Sequence, residues 1–302
     1  MLGISRRAVE RLFACSFVIL MASSAWAQIP GERLPGSAGV TEVTAEIMER
    51  AVLEGPPTER PEHELEYPDR EGLPSNPDAI EAASYPLTAG KPPEGVPPTP
   101  QIHTTGAAFD GATLTDTGAF PPDSMGAVGP AQFVTFVNGR LRTFTKAGVA
   151  DGVLNASPDT FFASVMTPVG GSVVLNFTSD PQARYDRFTA RWILTIIDVP
   201  CTNVTCTTTA ANRVLIAVSD AASAGMISGS TVWTFFQFQA DPGTGFCDYP
   251  SLGVDVNALY IGCNMFTSAG AFNGTNGYVV RKSTILGAGP ITVTMFANLA
   301  TA

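Results

Sequence analysis

Three aspartates, Asp123, Asp180 and Asp248, each stand just ahead of a short apolar run, 57 and 68 positions apart. Carboxylates brought together from repeated units, with backbone carbonyls nearby, make a site for a hard cation such as Ca²⁺. The structural alternative is that each Asp closes a turn through its own backbone hydrogen bonds, the more common use of Asp at such positions. Arg184, Arg187 and Arg191 lie close together in sequence and could grip a carboxylate or sulfate. Arg184, Arg191 and Tyr249 therefore join the three aspartates as candidate ligand contacts. Asp186, with Arg191, and Asp255 fall at turns, where exposed charges contribute little. Trp192, Trp233 and Tyr260 suggest a sugar-stacking platform, although aromatic residues in all-β proteins more often pack in the core.

What is missing narrows the chemistry further. Both histidines, His63 and His103, and every glutamate up to Glu94 precede residue 106. The region 106–302 therefore cannot form a Ser-His-Asp or Cys-His arrangement, nor supply a Glu as general acid. Its twelve acidic residues are all Asp. The net charge of −10 argues against nucleic acid or an anionic membrane surface as partner, since both attract basic patches.

Charge also divides the chain. Residues 1–27 carry +2, residues 28–105 carry −9 and residues 106–302 carry −3. The first segment has a basic start, an apolar stretch from Leu12 to Ala22 and Ala25-Trp26-Ala27, the pattern of a secretory signal peptide cleaved after Ala27. That apolar stretch is too short to span a bilayer, so no transmembrane segment is expected after cleavage. A secreted or periplasmic location in a bacterium follows. Four cysteines then remain, and an oxidising compartment favours disulfides. Of the three pairings, Cys201–Cys206 and Cys247–Cys263 are preferred because each pair is close in sequence.

Residues 28–105 hold fourteen of the 24 prolines. This acidic, proline-rich composition is expected to form a disordered tether. Within it, residues 41–54 place Val43, Ile47, Met48 and Ala51 on one helical face. The segment reads either as a docking helix or as a transient helix in a linker.

The elements that must position the candidate residues begin with the stretch 121–148. There, alternating runs flank Asn138-Gly139, the signal of a β-hairpin whose two turn positions both take positive φ. Further strand-like runs follow at 172–177, 192–199, 213–219, 231–238, 258–265, 278–282 and 291–296. Residues 183–197 and 252–264 share a layout with the opening stretch: a short apolar strand, a turn, an aromatic residue and a second apolar strand. About four strands per repeat is the plan of a β-propeller blade.

The segments PPDSMGAVGPAQFVTFVNGR, SDPQARYDRFTARW and DYPSLGVDVNALYIGCNMF resemble three consecutive signatures of a group of secreted bacterial β-propeller proteins, largely uncharacterised. The resemblance spans about 121–300 and implies fold and export, without an activity. The expectation is thus an all-β, propeller-like array of about three four-stranded blades over 106–302. Three is fewer than a closed ring usually has, so the array reads as incomplete, with an unpaired edge on its last sheet. The expected function is an exported, non-catalytic binding module for a protein or glycan. The alternatives are a glycoside hydrolase or lyase using Asp carboxylates, and a structural repeat of a larger surface protein.

Overall fold

The computed structural model describes residues 30–57, 59–61, 65 and 108–299. The expected signal peptide and much of the expected tether lie outside these residues. In chain order the elements are β1 (Glu32–Pro35), β2 (Val40–Val43), α1 (Thr44–Val52), α2 (Leu114–Thr117), β3 (Met125–Val128), β4 (Gln132–Val137), β5 (Arg140–Thr145) and β6 (Ala150–Ala156). They continue with α3 (Pro158–Phe161), β7 (Leu175–Asp186), β8 (Arg191–Cys201), β9 (Arg213–Ser219) and β10 (Val232–Gln239). The last are β11 (Phe246–Val254), β12 (Ala258–Phe266), β13 (Phe272–Arg281), α4 (Lys282–Ile285) and β14 (Thr292–Leu299).

The strands form three antiparallel sheets, none closed on itself, in the orders β3-β4-β5-β6, β2-β10-β9-β8-β7 and β1-β14-β13-β12-β11. Each contains four consecutive strands, and two gain a fifth from the N-terminal segment. The sheet that ends in β7 is the middle layer. Along β8 the pleat sends successive side chains to opposite faces. Trp192, Leu194 and Ile196 join one core with Val134, Phe136 and Leu141, while Ile193, Ile197 and Val199 join the other with Leu259, Ile261 and Val280. Burial on both faces explains why the middle strands read as nearly continuous apolar runs such as Trp192–Ile197, interrupted only by the buried Thr195.

The N-terminal strands correct two expectations. β1 pairs with β14 from Glu32↔Met295 to Pro35↔Thr292, and β2 pairs with β10 from Val40↔Phe235 to Val43↔Val232. Residues 30–57 are thus built into the sheets and are not tether, and the outer edge of β14 is covered. Averaging composition over 28–105 hid this, because a strand–strand–helix segment was pooled with the proline-rich remainder. The helix expected within 41–54 runs from Thr44 to Val52 and docks on its own chain. Ile47 is fully buried, Thr44 Oγ1 donates to the Thr231 carbonyl, and Trp233 Nε1 donates to Thr44 Oγ1 at 3.0 Å. Thr41 lies within β2, and the N-cap of α1 is Val43.

The hairpin at Asn138-Gly139 joins β4 to β5, with Val137 opposite Arg140. Only Gly139 takes positive φ, at 79°; a Cβ there would sit 2.5 Å from the Thr117 carbonyl oxygen. Both preferred disulfides are present. Cys201–Cys206 closes the loop after β8, and Cys247–Cys263 links β11 to β12.

Candidate functional site

The first strand of each four-stranded run, β3, β7 or β11, lies at an edge of its sheet, and β7 touches both of the others. At this junction β7 and β11 both bulge. The β7–β8 register shifts between Ser179 and Gln182, and the β11–β12 register shifts between Asp248 and Ser251. Each bulge contains a proline, Pro181 or Pro250, which cannot donate to a ladder and is tolerated where the ladder is already broken. The residue before each proline is left-handed: Asp180 at φ 59° and Tyr249 at φ 51°. Asp123, just ahead of β3, has φ 39°. By backbone conformation, then, the third member of the series is Tyr249, and Asp248 stands one place earlier.

Side chains from one strand satisfy the backbone of the next. Asn138 Nδ2 donates to Asp123 Oδ2 at 2.6 Å and to the Pro121 carbonyl at 3.0 Å, and Asn138 Oδ1 accepts from the Asp180 amide at 2.9 Å. Asp180 Oδ2 in turn accepts from the Tyr249 amide at 3.1 Å. The relay runs from the β4–β5 turn to β7 and on to β11. It differs from the turn closure expected of Asp180, because the amide its side chain binds lies 69 residues along the chain.

Asp123, Asp180 and Asp248 line one cavity of about 430 Å³, together with Arg60, Asn138, Phe120, Phe177, Phe246 and Tyr249. Asp180 is buried, and its carboxyl is pushed well above the ordinary carboxylate range. Burial is the main cause, followed by the negative charges of Asp248 and Asp123. Arg60 borders the cavity, with Nη2 on Asp159 Oδ2 at 2.8 Å, Nη1 on the Thr178 carbonyl at 3.0 Å and its guanidinium 5.7 Å from the Phe177 ring centre. Among the described residues, no group of three His, Cys, Asp or Glu side chains is arranged to hold a metal ion.

The other candidates separate. Arg184 lies away from the cavity, its Nη1 on its neighbour's carbonyl at Ala183. Arg191 Nη1 reaches the Ser219 carbonyl, and Arg187 is exposed, so the three arginines make no common grip. Asp186 is no exposed turn residue. It is buried against Lys282 Nζ at 2.6 Å, which also donates to the Asp255 carbonyl at 2.7 Å. Burial alone would raise Asp186, but hydrogen bonds from Lys282, Thr189 and the Phe188 amide outweigh it and hold the carboxyl below its usual value. Asp255 closes a turn through the amides of Asn257 and Ala258.

Trp192 and Trp233 are fully buried and cannot form a sugar platform; only Tyr260 of that trio is exposed. Trp192 donates Nε1 to the Gly225 carbonyl at 2.9 Å, as a core indole must when its N–H has left water. Asn138, Arg60 and Lys282 were not singled out from the sequence. Only Asn138 carried a signal, the Asn-Gly turn, and that signal named its backbone role alone. No protein-family model, curated protein or solved structure matches the chain.

Proposed function

We propose that the chain is an exported, non-catalytic binding module of propeller-like plan, recognising a protein or glycan ligand beside the junction of β3, β7 and β11. One observation carries the reading: a cavity of about 430 Å³, lined by Phe120, Phe177, Tyr249 and the three aspartates, lies where three sheet edges meet. Concave sites with apolar walls and a few convergent polar groups are where ligands are usually held. Three runs of four consecutive strands, with their first strands adjacent, support the blade-like plan and the resemblance to secreted bacterial propellers. Two disulfides support an extracytoplasmic location.

The test is a glycan array and an immobilised peptide library probed with the full chain and with Phe120→Ala. Phe120 lines the cavity yet is 66% exposed, so its loss spares the core. A ligand signal that falls in the variant supports the reading, whereas silence on both surfaces removes it.

One observation favours a second reading, a hydrolase or lyase. Asp180 retains its proton to higher pH than an ordinary carboxyl, as a general acid must, and carboxylates of Asp123 and Asp248 share its cavity. The relay from Asn138 to Tyr249 gives the same residues a structural purpose, which supports binding over catalysis. For Ca²⁺ at these aspartates the direct check is melting with and without a chelator. The observed arrangement supports no shift, and a lower Tm with chelator would establish the cation.

A further inference from the structure

We infer that the outer face of the sheet β11–β14 carries a groove for a uronic-acid-containing glycan, with Arg184 taking the carboxylate and Tyr249 and Tyr260 stacking on sugar rings. The inference rests on the chain being a binding module and goes beyond the cavity by naming a ligand class and a different surface.

The groove has a volume of about 590 Å³, and three glycines, Gly253, Gly262 and Gly277, line it beside Ser251, Val279 and Phe296. Gly262 in β12 stands opposite Ser251 in β11 and Gly277 in β13, and Gly253 stands opposite Tyr260. Glycine weakens a strand interior and often marks a place where a ligand approaches the backbone. At Gly262 neither conformation nor crowding requires it. Its φ is not positive, and a Cβ built there would meet no atom within 4 Å.

Two exposed rings border this groove, Tyr249 at 48% and Tyr260 at 42%. The backbone of Tyr249 and the ring of Tyr260 are held in place. Tyr249 projects from the β11 bulge with its amide on Asp180, and Tyr260 donates its hydroxyl to Asp255 Oδ2 at 3.0 Å. A ring already fixed loses little freedom when a sugar stacks on it.

Among the described residues, Arg184 is the one charged residue lining the groove. Arg50, Arg60 and Arg142 each pair with an acid, but Arg184 pairs with none among the described residues. Its Nη1 meets the Ala183 carbonyl and lies 3.6 Å from Met125 Sδ, and its Nε and Nη2 have no hydrogen-bond partner among the described residues. Such a fork accepts a carboxylate through two parallel bonds. The nearby Asp255 carboxylate is occupied by two amides and the Tyr260 hydroxyl. Although the chain as a whole carries −10, this groove presents a cation with no acid paired to it among the described residues, the local charge complement of a single carboxylate. A uronic acid offers both that carboxylate and a ring face for the tyrosines.

The experiment is calorimetric titration of the full chain with a galacturonic-acid hexamer, a neutral β-1,4-glucose hexamer and dextran sulfate. The variants are Arg184→Gln and Gly262→Leu, each with its melting temperature measured, and Tyr260→Ala serves if Gly262→Leu fails to fold. The uronate hexamer should bind the native chain. Affinity should fall about tenfold or more in Arg184→Gln, as loss of a charged hydrogen bond implies, and vanish when leucine fills the groove. No binding of the uronate, equal binding of the neutral hexamer or dextran sulfate, or affinity unchanged by the variants would overturn the assignment. Phe120→Ala should leave the uronate isotherm unchanged, so failure here is separable from failure of the cavity.

Discussion

Asn138 donates its side-chain amide to Asp123 Oδ2 at 2.6 Å, and through that bond a hairpin turn becomes part of the junction between sheets. The same side chain accepts the amide of Asp180, whose left-handed backbone could not use a ladder partner. Asn138→Ala strands a buried amide and a carboxylate oxygen together. An unsatisfied buried group costs about 1–3 kcal/mol, so denaturant unfolding should show a loss of that order or more. A change within about 0.5 kcal/mol, typical of surface sites, would mean that the relay contributes nothing.

Asp180 makes stability depend on pH in an unusual direction. Its folded-state pKa lies above the unfolded value of about 3.9, so the native state keeps a proton that the unfolded state has released. The stabilisation is complete below about pH 3.9 and is lost as pH rises through the raised value. Asp186 and Asp220 are lowered and act oppositely, contributing above about pH 3.9 and losing their contribution as pH falls through their depressed values. Asp180→Asn removes only the first effect. Between about pH 4 and pH 8 the variant should gain on the native chain in unfolding free energy; a constant difference across that range would contradict the assignment.

Lys282 and Asp186 form a buried pair, each 2% exposed in its side chain. Removing one partner of such a pair leaves an uncompensated charge and costs about 3–5 kcal/mol. Lys282→Met should therefore be strongly destabilising, and adding Asp186→Asn should restore part of the loss. If the single variant unfolds like the native chain, the two charges do not depend on each other.

Ile47 tests whether the N-terminal segment belongs to the folded unit. It is fully buried beside Trp233 and Phe235 in the core under α1. Truncating such a residue costs about 2–5 kcal/mol, and Ile47→Ala should lower the unfolding midpoint accordingly. Were residues 30–57 a tether, the same change would be silent.

The legible parts of this molecule were those governed by local period and chemistry. Arg213–Ser219 was expected as a strand and is one, and the hairpin at Asn138 is where the alternation on either side placed it. Both disulfides followed from cysteines close in sequence. Asp123, Asp180 and Asp248 line one cavity, but Asp123 precedes β3 whereas Asp180 and Asp248 sit within β7 and β11, at bulges that the spacing of the three did not reveal. What stayed hidden depends on distant partners. Nothing local to Val40–Val43 says that β10, about 190 residues later, will accept it as an edge strand. Lys282 looks like a surface lysine until α4 carries it under Asp186. Trp192 and Trp233 looked available for sugars because strand alternation does not tell which faces are covered, and the middle sheet is covered on both.

The central claim is binding without turnover, and product analysis tests it most directly. The full chain should be incubated with any glycan it retains, its binding isotherm recorded and the solution analysed for shortened or unsaturated sugars over many hours. Saturable binding and an unaltered glycan are the expected outcome. Released products whose formation disappears in Asp180→Asn would contradict it and make the chain an enzyme.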